Sequence, residues 1–283
     1  MIRLAIQAKG RLNEKSVKLL ADAGIQVPDG KRTLLTQCSD FPIEILFLRD
    51  DDIPYAVASG VADIGIVGEN EVAEKAMSVE TAFKLGFGKC RISLAIPKGD
   101  EYNGISYFNG KRVATSYPEI LGTYFKEQGV NAEITTIAGS VEIAPSVGMA
   151  DAIFDIVSSG GTLVSNGLKE IEKVFYSEAV LIKNKNLSVK QEAILEQLIF
   201  RIDSVLESKG LKYVLMNLPQ NKVDDVVKML PGMKSPTVLP LAKEGWCSIH
   251  VVIKESELWQ RIEELKVLGA EDILVLALEK LIR

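Results

Sequence analysis

The chain has 283 residues, 47% of them hydrophobic and 25% charged, a composition that fits about two packed domains and excludes disorder as the main state. With 33 Lys and Arg against 38 Asp and Glu, the formal charge of −5 leaves no basic footprint for coating nucleic acid, so an anionic ligand must meet a local cluster of cations. Three cysteines, Cys38, Cys90 and Cys247, fit neither a disulfide framework nor a zinc-ligand spacing, which suits a reducing compartment.

Met1 to Ala8 reads as a strand, and after the turn Lys9-Gly10-Arg11 the apolar positions Val17, Leu19, Leu20 and Ala23 predict a helix that stops at Gly24. Ile43 to Leu48 is the next strand and ends in Arg49. Asp50-Asp51-Asp52-Ile53-Pro54 then places carboxylates and a proline where a helix N-terminus favours them; Gly60 closes that helix, and Val61 to Val67 follows as a strand. Strands at Arg91 to Ile96, Lys111 to Ser116, Ala132 to Ile137 and Asp151 to Val157 continue the pattern. Helices are predicted from Pro118 toward Gly129, after Ser140, and from near Leu163. Such alternation predicts mainly parallel sheets.

Gly60-Val61-Ala62-Asp63-Ile64-Gly65-Ile66 resembles Gly148-Met149-Ala150-Asp151-Ala152-Ile153-Phe154: each is a helix-ending Gly, then Ala-Asp, then a buried strand. We read this as two similar α/β lobes facing a cleft, with ligands beyond the strand C-termini; a common αβ turn is the alternative explanation of one short match. Ser188-Val189-Lys190-Gln191 fits a capping box, and Ala193, Ile194, Leu198 and Ile202 carry a long linker helix toward Gly210. Beyond it come strand Tyr213 to Met216, helix Lys222 to Leu230, strands Ser235 to Leu241 and Cys247 to Ile253, helix Ser256 to Leu268 and strand Ile273 to Leu276. That βαββαβ order is ferredoxin-like, an architecture common in regulatory or oligomerising modules.

The strongest chemical signal is the run from Asp151 to Thr162. Two carboxylates four residues apart in a strand share one face, and a loop of small residues opens a helix whose free N–H groups can hold a phosphate. The pattern suits a phosphoribosyl donor, its 5′-phosphate on Ser158, Ser159, Gly160, Gly161 and Thr162 and an acidic residue on the ribose hydroxyls or a metal; a Ser/Gly-rich turn with an N-cap is the common alternative. Lys9, Arg11, Arg49 and Arg91 are the cations that could face the cleft, with simple solvation the alternative for each. The one histidine, His250, sits between Ile249 and Val251 in a predicted strand without catalytic partners nearby, so we read it as a structural or surface residue.

Lys9-Gly10-Arg11-Leu12, Arg49 to Pro54, Gly60 to Asn70, Cys90-Arg91, Ala114-Thr115-Ser116-Tyr117-Pro118, Gly139-Ser140-Val141-Glu142 and the Asp151 to Leu163 loop occur in order. Together they resemble the ATP phosphoribosyltransferase family over essentially the whole chain. Leu230-Pro231-Gly232 and Ser235-Pro236-Thr237 resemble the regulatory domain of its long form.

The resemblance implies an α/β fold: a two-lobed catalytic unit like type II periplasmic binding proteins, plus a C-terminal ferredoxin-like regulatory domain. Lobe I would span 1–90 with a return segment 178–205, lobe II 91–177 with the donor loop, and the regulatory domain 206–283. It implies condensation of ATP with 5-phosphoribosyl 1-diphosphate, adenine N1 attacking ribose C1 as pyrophosphate leaves, as the histidine-inhibited first step of L-histidine biosynthesis. By resemblance Lys9, Arg49, Asp151 and Asp155 are catalytic, Ser158 to Thr162 bind the donor, and Arg11, Asp50, Asp51, Glu69, Arg91, Tyr117 and Glu142 bind ATP. Mg²⁺ would be held mainly through substrate phosphates, with Asp155 the candidate protein ligand. Histidine would sit near Asn217, Ser235, Pro236, Thr237 and Asp272 between subunits of a dimer or hexamer, and Asn217 replaces an acidic residue that some relatives carry.

The N-terminal stretch lacks a signal-peptide core, and no apolar run approaches the roughly 18 residues of a membrane span, so we expect a cytoplasmic protein with neither membrane nor nucleic acid as partner. A second reading, from another class, is a non-enzymatic small-ligand sensor using the same cleft. Only the enzyme would release pyrophosphate.

Overall fold

The computed structural model describes residues 1–28 and 34–283, which form two compact units, Met1–Ile199 and Phe200–Arg283. The first unit opens with strand β1 (Ile2–Gln7), helix α1 (Arg11–Asp22), strands β2 (Leu35–Gln37) and β3 (Ile43–Leu48), a 3₁₀ turn at Asp50–Asp52, and helix α2 (Ile53–Ala58). Strand β4 (Ile64–Gly68), helix α3 (Glu69–Lys75) and strand β5 (Val79–Lys84) complete the first run. Leu4, Ala5, Ile6, Ile64, Ile66 and Val67 are fully buried, the near-continuous apolar reading of central strands covered on both faces. At Gly65 a Cβ would stand 2.6 Å from a methyl of Ile53, so α2 lies on the sheet only because that residue lacks a side chain.

The second run holds β6 (Cys90–Pro97), β7 (Arg112–Thr115), α4 (Pro118–Gln128), β8 (Glu133–Thr136), β9 (Ala152–Val157), the short helix α5 (Gly161–Ser165) and β10 (Leu168–Ser177). β11 (Ala179–Asn184) then re-enters the first sheet, and α6 (Val189–Glu207) leads into the second unit. The sheets are ordered β2-β3-β1-β4-β11-β5 and β10-β6-β9-β7-β8.

Without β2 the two sheets follow one plan. β1, β3 and β4 correspond to β7, β8 and β9 in parallel pairing, while β11 and β6 enter antiparallel beside β4 and β9. Both sheets are therefore mixed, which corrects the expectation of mainly parallel sheets: each takes one antiparallel strand from the chain on its crossing between lobes. The result is the two-lobed, periplasmic-binding-type arrangement. The predicted strand Val61 to Val67 starts at Ile64, and the helix predicted after Ser140 is a 3₁₀ turn at Val141–Ile143.

The capping box forms as read. Ser188 N–H donates to Gln191 Oε1 at 2.9 Å and Gln191 N–H to Ser188 Oγ at 3.4 Å. The buried stripe of α6 is Leu195, Leu198, Ile202 and Val205, whereas Ala193 is exposed.

The second unit comprises β12 (Leu211–Pro219), α7 (Val223–Met229), β13 (Thr237–Pro240), β14 (Trp246–Lys254), α8 (Glu255–Val267) and β15 (Glu271–Ala277). Its antiparallel order β13-β14-β12-β15 is the ferredoxin-like one. Val214, Met216 and Leu218 of β12 stand opposite Val251, Ile249 and Cys247 of β14 on the face that packs Val226, Leu258 and Leu265 of the helices.

Candidate active site

The loops after β1, β3, β4, β7 and β9, with the segment entering β6, converge on a cavity of about 400 Å³ in the first unit, beyond the strand C-termini where open α/β sheets hold ligands. Its cations are Arg11 and Lys15, one turn apart on α1, and Lys89, in the crossing segment before β6. Asp50 comes from the turn after β3, Asn70 and Glu71 from the start of α3, Tyr117 from the residue before α4, and Ser158 from the loop after β9.

A buried polar network fixes one part of the wall. Asn70 N–H donates to Ser177 Oγ at 3.1 Å, and Ser177 Oγ donates back to Asn70 Oδ1 at 2.8 Å. Asn70 Nδ2 donates to Glu71 Oε1 at 2.9 Å and to the Tyr117 hydroxyl at 3.2 Å, tying the two lobes together. A Cβ at Gly68 would stand 2.3 Å from Asn70 Oδ1, so glycine there lets the amide fold back into the network. Nearby, the buried Glu74 carboxylate accepts the N–H groups of Glu119 and Ile120, each at 3.1 Å, and so caps α4 from the other lobe. Burial first, then the Asp50 charge, raises the Glu71 pKa; burial followed by the charges of Glu71 and Asp155 raises that of Tyr117.

Around the phosphate-loop candidate, Gly160 has a left-handed backbone (φ 83°), and Ser158, Ser159, Gly161 and Thr162 are exposed. Arg91 pairs with both oxygens of Glu170, at 2.5 and 2.6 Å, and donates to the Ser158 carbonyl at 3.2 Å. Ser159, Gly160 and Gly161 also border a second hollow of about 590 Å³ that includes Lys98 and Lys169. Burial, with Glu142 adding repulsion, pushes the Asp155 carboxyl up to about 6.

Of the residues singled out from sequence, Arg11, Asp50, Tyr117 and Ser158 meet at the cavity. Lys9 is exposed at the turn before α1. Arg49 is largely exposed and pairs with Asp51 at 3.2 Å, while Asp51 Oδ1 is buried without a hydrogen-bond partner. Glu69 turns to Lys84, at 3.3 Å, and Glu71, two residues on, takes the place in the wall assigned to it from sequence.

Asp151 needs a larger correction. Its Oδ2 accepts the Arg112 N–H at 2.8 Å, its Oδ1 pairs with Arg112 Nη2 at 3.1 Å, and Arg112 Nη1 reaches the Gly148 carbonyl at 3.1 Å. The other lobe repeats the device: Asp63 Oδ2 accepts Arg3 N–H at 2.6 Å and Arg3 Nη1 reaches the Val61 carbonyl at 2.9 Å. Both aspartates precede their strands and clamp the neighbouring strand at its start, the end remote from the cleft. At roughly 3.3 Å per residue, Asp151 lies about 13 Å from Asp155 along the strand, so it does not join Asp155 at a donor.

Sequence reasoning missed Lys15, Lys89, Asn70 and Glu71. Lys15 had a signal, its i,i+4 spacing from Arg11 on one helix face, and Lys89 adjoins the quoted Cys90-Arg91 pair.

In the second unit, Asn217 Nδ2 donates to Asp272 at 3.3 Å across β12 and β15. Thr237 begins edge strand β13 opposite His250, and Ser235 lines a hollow with Met233, Lys234, Ile282 and Arg283. These candidates fall into two groups at opposite edges of one sheet, with Pro236 in the Ser235 to Thr237 group. His250 Nδ1 meets the Tyr213 hydroxyl at 2.7 Å.

A family model described as ATP phosphoribosyltransferase matches residues 49–204, and one described as the HisG C-terminal domain matches residues 208–280. The ATP phosphoribosyltransferase of Bacteroides fragilis is 59% identical over 282 residues, and that of Cytophaga hutchinsonii 53% over 283; the first alignment covers all of both chains, the second all of this chain and 99% of the relative. Among solved structures, the ATP phosphoribosyl transferase (HisG:HisZ) complex from Thermotoga maritima contains a similar chain: TM-score 0.65 and 30% identity over 73% of this chain and 98% of that one.

Proposed function

The chain belongs to the ATP phosphoribosyltransferase family, in its long form, and from that premise we propose how its own residues carry out the reaction. The chain condenses ATP with 5-phosphoribosyl 1-diphosphate, giving N1-(5-phosphoribosyl)-ATP and pyrophosphate, the first step of histidine biosynthesis. A non-catalytic sensor is not favoured.

The observation that carries the residue assignment is the convergence of Arg11, Lys15 and Lys89 with Ser158 on one cavity of a protein whose net charge is negative. Cations concentrated there attract the triphosphate and diphosphate that the rest of the surface repels. The exposed hydroxyls and amides from Ser158 to Thr162 take the donor's 5′-phosphate, oriented through the Arg91 bond to Ser158. Asp155 meets the ribose hydroxyls. Asp50, with Asp51, Tyr117 and Glu142, borders the nucleotide. Holding N1 against C1 in line with the leaving pyrophosphate supplies most of what this displacement needs.

Among the described residues no group of three His, Cys, Asp or Glu could hold a metal ion. The side chains therefore fit Mg²⁺ carried in on substrate phosphates, with Asp155 the one protein ligand we assign. When bound, Mg²⁺ screens the diphosphate and stabilises its departing charge. We take 1–90 with 178–205 as lobe I, 91–177 as lobe II and 206–283 as a regulatory domain that binds histidine between subunits of a dimer or hexamer. No helix among the described residues is long and apolar enough to cross a membrane, and we place the protein in the cytoplasm.

The donor assignment is tested by Gly160→Val combined with Thr162→Ala. Valine is strained at φ 83°, and one lost hydrogen bond to a dianion costs about 1.5 to 3 kcal/mol. Calorimetry should show donor affinity reduced roughly ten- to hundredfold, with ATP affinity nearly unchanged. Equal donor affinity in both proteins would remove the loop from the site.

A further inference from the structure

We propose that Glu71 is a catalytic residue, accepting the proton that the adenine amino group loses when N1 is ribosylated. This rests on the reaction assigned above and goes beyond it by naming the group that receives the proton.

The need for such a group follows from the bonds. The N1 lone pair forms the N1–C1 bond as the C1–O bond to pyrophosphate breaks, and that bond's electron pair leaves on the pyrophosphate oxygen. The purine is then an amidinium, its positive charge shared between N1 and the exocyclic nitrogen. Loss of one proton from the exocyclic nitrogen gives the neutral imine, and the proton must go to an acceptor within hydrogen-bond reach of the amino edge. A carboxylate there both stabilises the growing positive charge and takes the proton, later passing it to water when the product leaves.

Glu71 has the required placement. It is 8% exposed yet lines the cavity, which places it beside the space that the substrates share and largely out of bulk water. Asn70 Nδ2 holds one oxygen at 2.9 Å, and Ser177 fixes that amide in turn, so the carboxylate is oriented before substrate arrives. The groups that face it electrostatically are Asp50 and Asp51 from the 3₁₀ turn, Lys75 on its own helix and Tyr117 from the residue before α4. Burial first, then the charges of Asp50 and Asp51, make it a stronger base than an exposed glutamate, while the Tyr117 hydroxyl and Lys75 temper the effect. Two other carboxyls are driven up by burial: Glu74, whose two oxygens are taken by the Glu119 and Ile120 N–H groups at the start of α4, and Asp155, which belongs to the strand that feeds the phosphate loop and so serves the donor side.

A purely structural Glu71 would tie α3 to the lobe boundary and nothing more. Glu71→Gln separates the two roles, because the glutamine carbonyl oxygen still accepts from Asn70 but the side chain cannot take a proton. Steady-state rates for wild type, Glu71→Gln and Glu71→Asp are measured by pyrophosphate release from pH 5 to 9, with melting temperatures alongside. Expected for Glu71→Gln are kcat about a hundredfold lower, a KM for the donor within twofold of wild type, and loss of the acidic limb of the kcat profile. Glu71→Asp should keep that limb at an intermediate rate. A Glu71→Gln enzyme with kcat within threefold of wild type, or one that keeps the acidic limb unchanged, overturns the proposal. Should Glu71→Gln not fold, an acidic limb in Glu71→Asp shifted from its wild-type position supports the proposal and an unshifted one overturns it. Wild-type protein that releases no pyrophosphate overturns the reaction itself and this role with it, whereas active wild type with an unaffected Glu71→Gln overturns only the role.

Discussion

Asp155→Asn is expected to lower turnover roughly ten- to hundredfold while making the protein more stable at neutral pH. The rate loss follows from removing a charged partner of the ribose hydroxyls and Mg²⁺, worth about 1.5 to 3 kcal/mol. The stability gain follows from linkage. The folded-state pKa of Asp155 is raised from 3.8 to about 6, so folding favours the protonated form. That advantage is fully present below pH 3.8 and is lost as pH rises through 6, where the folded protein must hold a partly buried carboxylate. At ~1.4 kcal/mol per pH unit the cost above pH 7 approaches about 3 kcal/mol, and asparagine avoids it. Urea unfolding of both proteins between pH 4 and 8 should converge at the acid end and separate toward pH 8, with the variant the more stable. Unchanged turnover at saturating Mg²⁺ would reduce Asp155 to a strand-end residue with no part in the reaction.

Removal of the chain from Lys209 onward is expected to abolish histidine inhibition and disturb the oligomer while leaving the substrate cavity chemically complete. Every residue that we assign to donor or nucleotide precedes α6, and every residue that we assign to histidine follows it. A ligand bound there alters turnover only by favouring one arrangement of subunits or lobes over another. Activity with and without histidine, compared for both proteins and paired with masses from light scattering, reads this directly. A truncated protein that keeps both the oligomeric state and the histidine sensitivity measured for the full-length chain would place the effector in the catalytic lobes.

Local pattern carried much of the architecture: β1, α1, β3, α2, the Ser188 capping box and the complete βαββαβ order after α6 were all legible. α3 was not, and the reason is physical. Its buried residues are Asn70, Glu71 and Glu74, so a helix that packs through a polar face leaves no apolar stripe to read. The crossing strands failed for another reason. β10 mixes Lys169, Glu170, Glu172 and Lys173 into a twice-irregular ladder with β6, and nothing local says that β11 inserts beside β4. At the site, Ser158 and the cation Arg11, which both line the cavity, could be singled out because phosphate chemistry selects recognisable residues, whereas Arg91 is engaged by Glu170. Asp151 was misread although its own repeat held the answer: Asp63 occupies the matching place in a lobe without the Ser158 loop, which marks the Ala-Asp pair as a device for starting strands.

The insertion of β11 between β4 and β5 has a consequence for the order in which a nascent chain can close its lobes. The lobe II sheet draws all five strands from one continuous stretch, Cys90 to Ser177, and can be completed as soon as that stretch has left the ribosome. The lobe I sheet begins at Ile2 but stays open until Ala179–Asn184 arrives, leaving the apolar strand Ile64–Gly68 with an unpaired edge through the synthesis of more than a hundred further residues. The half of the catalytic unit made first is thus the half finished last, and its exposed interval is when chaperones have most to protect.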